Sequence, residues 1–282
     1  MSQPLEKVEP NPQIKVISGN AIFNENAIVL SQKFGWALET NFDPKPNDLY
    51  IVLGAHELAY QLLEVQIRKN NSFGYIVLNS EQIDSQFFKN KYYISLLKKN
   101  VVFDYNTLTA QYLKETHDIK VLSYFFFEFM KFDIKKERIY DVCFIGSKNE
   151  RREKMLKDLQ EKHPNLNFYI DFDWKHKNSD SLTQILNECK VVLNIPYYND
   201  NALETHRIHK ALACGCKVIS MPSADEDANG FYKKYITITD NMDLSIEGIE
   251  PAYEKLVKEL SQKFNPHLTF VVEQIHTKLL SL

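Results

Sequence analysis

No apolar run in this 282-residue chain approaches the roughly 20 residues that a membrane-spanning helix needs; the nearest, Tyr124 to Met130, is short and broken by Glu128. The first 13 residues carry three prolines and no apolar core, which predicts a flexible leader over 1–12 in place of a signal peptide. Cysteine is scarce. Cys143, Cys189, Cys214 and Cys216 show no zinc-ligand spacing and sit in apolar contexts, so buried reduced thiols are expected. Neither sign of charge dominates: 34 Lys and Arg against 37 Asp and Glu leave −3, which supplies no global field for nucleic acid or anionic lipid. G-x-G-x-x-G, the P-loop, H-E-x-x-H and G-x-S-x-G are all missing, so dinucleotide oxidoreductases, P-loop NTPases, zincins and serine hydrolases lose their main signals. A cytoplasmic protein with no transmembrane segment is expected.

What the chain has is alternation. Short β-branched runs trade places with amphipathic stretches, the pattern of βαβ units and a mostly parallel sheet. Strands are expected at Ile14–Ser18, Leu49–Leu53, Gly74–Leu78, Val101–Asp104 and Val121–Phe125, with helices at Ala21–Phe34, Leu58–Lys69, Ser85–Leu97 and Thr107–Glu115. Phe132–Arg138 is charged and aperiodic and reads as an interdomain connection. The pattern then restarts with strands at Asp141–Ile145, Asn167–Ile170, Val191–Ile195, Lys217–Ser220 and Ile236–Thr239. The helices between them are expected at Glu150–Lys162, Ser181–Cys189 and Leu203–Cys214, the last ended by Gly215 in a left-handed position. Two helices, Glu250–Phe264 and His267–Leu280, complete the reading. The fold class is α/β, two Rossmann-like halves with a helical tail, divided as 13–131, 132–265 and a final helix over 266–282.

Ligands of open α/β sheets bind beyond the carboxyl ends of the strands, which directs attention to two segments. Gly146-Ser147 follows a strand and precedes a helix that opens Asn149-Glu150-Arg151-Arg152. Glycine admits a phosphate close to the backbone, free amides at the helix start attract anions, and the arginines add charge; a plain turn with two solvated arginines is the alternative. The second segment runs from Asn194 through Pro196-Tyr197-Tyr198 and Asn201 into a helix opening with Glu204, Thr205, His206 and Arg207. Its amides suit a diphosphate, Arg207 offers a bidentate clamp, and Glu204 can accept from hydroxyls. Alternatively Glu204 serves only the helix dipole, with Arg207 as its surface neighbour. His206 and His209 stand i, i+3, but no third ligand completes a metal set, so they read as polar-face histidines.

The stretch ETHRIHKALACGCKVIS (Glu204–Ser220) resembles the donor-site helix and following strand of GT-B glycosyltransferases of the family 1/4-like group. YDVCFIGS with RREKMLKDL (Tyr140–Leu159) is similar to the strand, glycine and helix that open their donor domain, and YIVLNSEQI (Tyr75–Ile83) with VVFDYN (Val101–Asn106) resembles their acceptor half. The resemblance implies two facing halves and transfer of a sugar from a nucleotide-sugar donor to a glycan, lipid-linked or protein acceptor, with no nucleic acid partner. It implies a donor site built from Gly146, Ser147, Arg151, Arg152, Tyr197, Glu204, Thr205, His206 and Arg207, with no tightly bound cofactor and no required metal. The final helix is implied to pack back on the first half. The first half, as the acceptor side, would supply a base: His56 after a strand end, which titrates near neutrality, or Glu57 or Glu81. Where many such enzymes carry a glutamate, this chain has Lys210, which leaves stereochemistry open; its ammonium meets donor phosphate or faces solvent. Two rivals stand beside this reading. Asp171-Phe172-Asp173 could hold a divalent ion in a GT-A-like enzyme, and a catalytically inactive scaffold could keep the same fold.

Overall fold

The computed structural model describes residues 13–42, 48–68, 74–133, 137–173, 179–198, 202–242, 244 and 249–280. The leader at 1–12, residues 134–136 of the connection, Lys69 and Asn201 lie outside the described residues.

Two parallel sheets are laid down in succession. The first contains β1 (Ile14–Ser18), β2 (Ala37–Glu39), β3 (Leu49–Leu53), β4 (Gly74–Asn79), β5 (Val101–Asp104) and β6 (Val121–Tyr124), in the order β2-β1-β3-β4-β5-β6. β3 is buried along its whole length and β4 along all but its first residue, as central strands covered on both faces must be. Register follows Val16, Ile51 and Ile76 across three strands. Helices α1 (Asn24–Phe34), α2 (Ala55–Arg68), α3 (Lys91–Lys99) and α4 (Thr107–His117) make the crossovers. The second sheet contains β7 (Tyr140–Ile145), β8 (Phe168–Asp171), β9 (Cys189–Asn194), β10 (Lys217–Ser220) and β11 (Thr237–Ile238), in the order β11-β10-β9-β7-β8. Its helices are α5 (Glu150–Lys162), α6 (Ser179–Leu186), α7 (Thr205–Ala213) and α8 (Glu226–Tyr232). Strand order reverses between β1 and β3 and again between β7 and β9. Such reversals open crevices at the carboxyl ends of the strands.

One apolar core joins the halves: Leu49, Ile51 and Ile76 of the first sheet belong to the same cluster as Cys143, Val192 and Ile208 of the second. Leu256, Leu268, Val272 and Leu279 of α9 (Tyr253–Leu280) complete it, and α9 packs on β3, β4, β6 and α7.

The tail is one helix where the sequence predicts two. Pro266 lies inside α9 on its exposed side, where a missing N–H leaves its partner carbonyl to water, while Leu260 and Leu268 keep both flanks packed. β2 and α8 escape the sequence reading because one is a three-residue edge strand and the other a two-turn helix containing Asn229-Gly230. The four cysteines are buried and free, and Gly215 takes φ +69° after α7.

Candidate active site

α7 starts beside the β7/β9 reversal, and a polar cluster fills that crevice. Arg207 donates from Nε to the Ile145 carbonyl at the end of β7 (3.2 Å) and from Nη1 to Asn194 Oδ1 at the end of β9 (2.8 Å), so one guanidinium spans both strands. Its Nη1 also donates to Glu204 Oε2. Arg152, on the first turn of α5, arrives from the other side. Its Nη2 donates to Glu204 Oε1 at 2.9 Å and to the Ile195 carbonyl at 2.6 Å, and its Nη1 to the Ser147 carbonyl at 2.9 Å. Asn149 positions that turn by accepting the Arg152 amide. Arg152 is 1% exposed, which overturns the reading of solvated arginines. Burial, then the charges of Arg207 and Arg151, bring its pKa down to about 10 against the opposing pull of Glu204, so it stays a cation at neutral pH. Two guanidiniums therefore share one carboxylate, leaving net positive charge.

Gly146 acts by what it lacks. A Cβ there would stand 2.8 Å from Arg207 Nη2 and 3.1 Å from Phe144 Cζ. Its amide is already given to the Asp171 carbonyl (3.0 Å), so this N–H is not free for a diphosphate. Arg151 and Tyr197 support from behind. Arg151 Nη2 donates to the Pro196 and Tyr198 carbonyls, and the Tyr197 amide donates to Glu204 Oε1 at 2.9 Å with the ring under the Arg152 guanidinium.

A cavity of about 350 Å³ opens on this cluster. Ser147, Arg152, Glu204, Thr205, His206, Arg207 and Lys210 line it from the second half; Phe23, Ser80, Glu81, Gln82, Tyr105 and Phe127 line it from the first. Lys210 does not face solvent. It is 1% exposed and its Nζ lies 2.5 Å from Glu25 Oε2 and 3.1 Å from Ser179 Oγ, with the Phe129 and Phe132 rings 5.2 and 4.5 Å away. Glu25, also 1% exposed, accepts the Met130 amide as well. This pair joins α1 of the first half to α7 of the second.

The two histidines of α7 are likewise not on a polar face. His206 is wedged edge-on among Phe23, Phe127 and Phe129 with Nε2 3.2 Å from Asn26 Oδ1. Burial, with the neighbouring His209 ring and the cations Lys210 and Arg207, brings its pKa down to about 3, so it meets the cavity as a neutral ring. His209 Nδ1 lies 2.7 Å from the Phe127 carbonyl and must donate to it, which makes Nε2 the acceptor from the Tyr232 hydroxyl at 2.8 Å. Burial holds its pKa near 4.

On the first-half wall, Glu81 is the carboxylate that reaches the cavity. Burial and the nearby Glu57 raise its pKa against the Ser85 hydroxyl, which donates to Oε2 at 2.5 Å. His56 lies behind it, buried in the first turn of α2. Its Nδ1 is 3.0 Å from Glu81 Oε1 but outside hydrogen-bonding geometry and without a hydrogen-bond partner among the described residues. Burial pulls the ring to about 4, so His56 does not titrate near neutrality as its position in the sequence suggests. Beneath the wall, Asn79 Nδ2 donates to Asp104 Oδ2 at 2.6 Å while its Oδ1 accepts the Glu81 amide and the Tyr93 hydroxyl. Full burial pushes Asp104 up to about 7 despite these bonds from Asn79 and the backbone. Asp171 and Asp173 line no part of the cavity; Asp171 Oδ1 accepts the Asp173 amide within a turn.

The sequence reading gave no role to Ser80 and Gln82, and it took Asn194 only as the start of a candidate segment. Asn194 carried one legible signal, a polar side chain ending an otherwise apolar central strand. It is wholly buried, and its Nδ2 donates to Ser220 Oγ at 2.9 Å.

No family model matches the chain, and no curated protein matches it. Among solved structures, an alpha-glucosyltransferase in complex with UDP-glucose and DNA containing an abasic site is similar, with a TM-score of 0.53 and 10% identity over 97% of this chain and 95% of that chain. At that identity the likeness carries the fold, a two-domain α/β architecture, and nothing finer. A two-component response regulator/GGDEF domain protein matches with a TM-score of 0.25, too low to support an argument.

Proposed function

We propose that this chain is a glycosyltransferase of the GT-B kind, taking a sugar from a nucleotide-sugar donor. The observation that carries the reading is the Arg152–Glu204–Arg207 cluster at the β7/β9 reversal, opening on a cavity lined from both halves. Arg207 spends Nε and Nη1 on protein partners while Nη2 bonds none of the described residues, so it has protons to give a phosphate oxygen. The N-terminal amides of α7 add to the same field. These cations would neutralise a departing nucleoside diphosphate without a divalent ion. Glu81, on the facing wall, is the group proposed to receive the acceptor proton. His56 stands behind it as a neutral ring. Units 13–131 and 132–265 are taken as acceptor and donor domains, with the final helix returning to the first.

The solved glucosyltransferase holds UDP-glucose, which is the donor class proposed here. It also holds DNA; a net charge of −3 gives this chain no global attraction for a polyanion, and a glycan, lipid-linked or protein hydroxyl is the proposed acceptor. The test is a thermal-shift panel of UDP, GDP, CMP, dTDP and ADP, with and without magnesium, on wild type and Arg207→Ala. A ligand that binds only the folded state raises Tm by mass action. Stabilisation by one nucleotide, lost in the variant, is the expected result. No shift at millimolar nucleotide would replace the proposal with an inactive scaffold, and a strict magnesium requirement would replace the metal-free mechanism.

A further inference from the structure

The polar groups around the cavity are not equally satisfied. On the second-half wall Arg152 is bonded through all three nitrogens, and Glu204 takes Arg152, Arg207 and the Tyr197 amide. Arg207 Nη2 remains there as a donor that bonds none of the described residues. On the first-half wall the balance is opposite. Ser80 Oγ and Gln82 Oε1 are both buried and have no hydrogen-bond partner among the described residues. Gln82 also bonds the Tyr105 hydroxyl through its side chain, and in this orientation of the amide the bond comes from Nε2. Glu81, between them, adds carboxylate oxygens. Folded proteins rarely leave buried polar atoms orphaned, and each one calls for an explanation such as a water, an ion or a functional role. An amide oxygen accepts only. The missing partner must therefore bring a hydroxyl or N–H at this end and acceptor oxygens at the arginine end.

We infer that Ser80 and Gln82 recognise the hydroxyls of the glycosyl group, so that the cavity selects a sugar-bearing nucleoside diphosphate over the bare nucleotide. This rests on the nucleotide-sugar reading of the same cavity. In the unliganded state both atoms are closed off from solvent, so a ligand in the cavity becomes their first partner only as the two side chains turn towards it. Ser80 can turn its hydroxyl among three staggered rotamers to meet it.

Ser80→Ala and Gln82→Met remove these groups at nearly constant shape. Calorimetric titration of the full chain with four pairs (UDP and UDP-glucose, GDP and GDP-mannose, dTDP and dTDP-glucose, ADP and ADP-glucose) separates the two ideas. The double variant is expected to weaken the sugar-bearing ligand about tenfold or more and to leave its bare nucleotide within about twofold, the scale of two lost hydrogen bonds. Equal losses on both members of the pair, or no loss on either, overturn the assignment while leaving the donor reading intact. Failure of wild type to bind any member overturns the donor reading and takes this inference with it. A readout free of ligand is the Tm of unliganded Ser80→Ala, because Gln82→Met also removes the Nε2 bond to Tyr105. An orphaned polar atom replaced by an apolar one should leave Tm unchanged or raise it. A fall of several degrees in Ser80→Ala would mean that Ser80 Oγ already has a partner, and would end the proposal.

Discussion

Removing the ammonium from Lys210 should be among the most damaging single changes the chain can suffer. Lys210 and Glu25 are each 1% exposed and lie 2.5 Å apart, so Lys210→Met strands a carboxylate where no water reaches it. Two donors would remain on Glu25, the Ser179 hydroxyl and the Met130 amide, and both are neutral. Breaking one partner of a buried pair costs about 3–5 kcal/mol, against about 0–1 kcal/mol for an exposed one. In a chain of this size the larger figure corresponds to a Tm lowered on the order of 10 °C. Urea denaturation followed by far-UV circular dichroism measures the loss directly, and the cycle should include Glu25→Leu and the double variant. The double variant is expected to be more stable than Lys210→Met alone, because it removes the stranded charge as well as its partner. A loss below about 1 kcal/mol for Lys210→Met would show that the pair is hydrated like a surface contact, and the tie between α1 and α7 would fail as an explanation of how the two halves are joined.

Other outcomes follow from the same geometry. Gly146→Ala should weaken nucleotide binding by roughly tenfold, the loss of one charged hydrogen bond, because its Cβ would occupy space 2.8 Å from Arg207 Nη2; the fold, checked by circular dichroism, should persist. Asp104 has its carboxyl raised from 3.8 to about 7, so the folded state binds a proton that the unfolded chain releases. Its contribution is complete below pH 3.8 and is lost as pH rises through 7. Asp104→Asn should therefore gain on wild type by about 4 kcal/mol between pH 4 and pH 8 in denaturation curves; parallel curves would refute the buried acid. His209 works in the other direction. Its ring is held near pKa 4 against 6.5 unfolded, so its share of stability is present above pH 6.5 and lost as pH falls towards 4, and His209→Gln should flatten that limb.

Much of the architecture was legible because it rests on local periodicity. Val191–Ile195 reads as a central strand from its own composition, and Gly215 announces the end of α7 before any neighbour is known. The start of α7 was legible for the same reason, since four polar residues crowd a helix N-terminus. Lys210 was not, because its partner is 185 residues away and a lone lysine looks like a solvated one. His56 and His206 failed on the same ground: their pKa values are set by what packs over them, and burial of that kind appears in no window of sequence. Ser80 and Gln82 were invisible for a further reason. Their significance is a bond not made, which only a complete account of surrounding donors can reveal.

The position of α9 bears on how the chain is made. Its apolar residues Leu268, Val272 and Leu279 join the core shared with Leu49 and Ile51 of β3, strand residues synthesised more than two hundred positions earlier. Domains usually fold as units while the ribosome is still elongating. Here α1 gives one face of the first sheet part of its cover through Ala27, but the rest waits until the last turns of α9 emerge. At about 5–20 residues per second, the apolar flank of β3 and β4 stands open for on the order of ten to forty seconds of synthesis. Nascent chains stalled before residue 268 should therefore be strong clients for holdase chaperones, and a second half that folds early cannot release the first from that dependence.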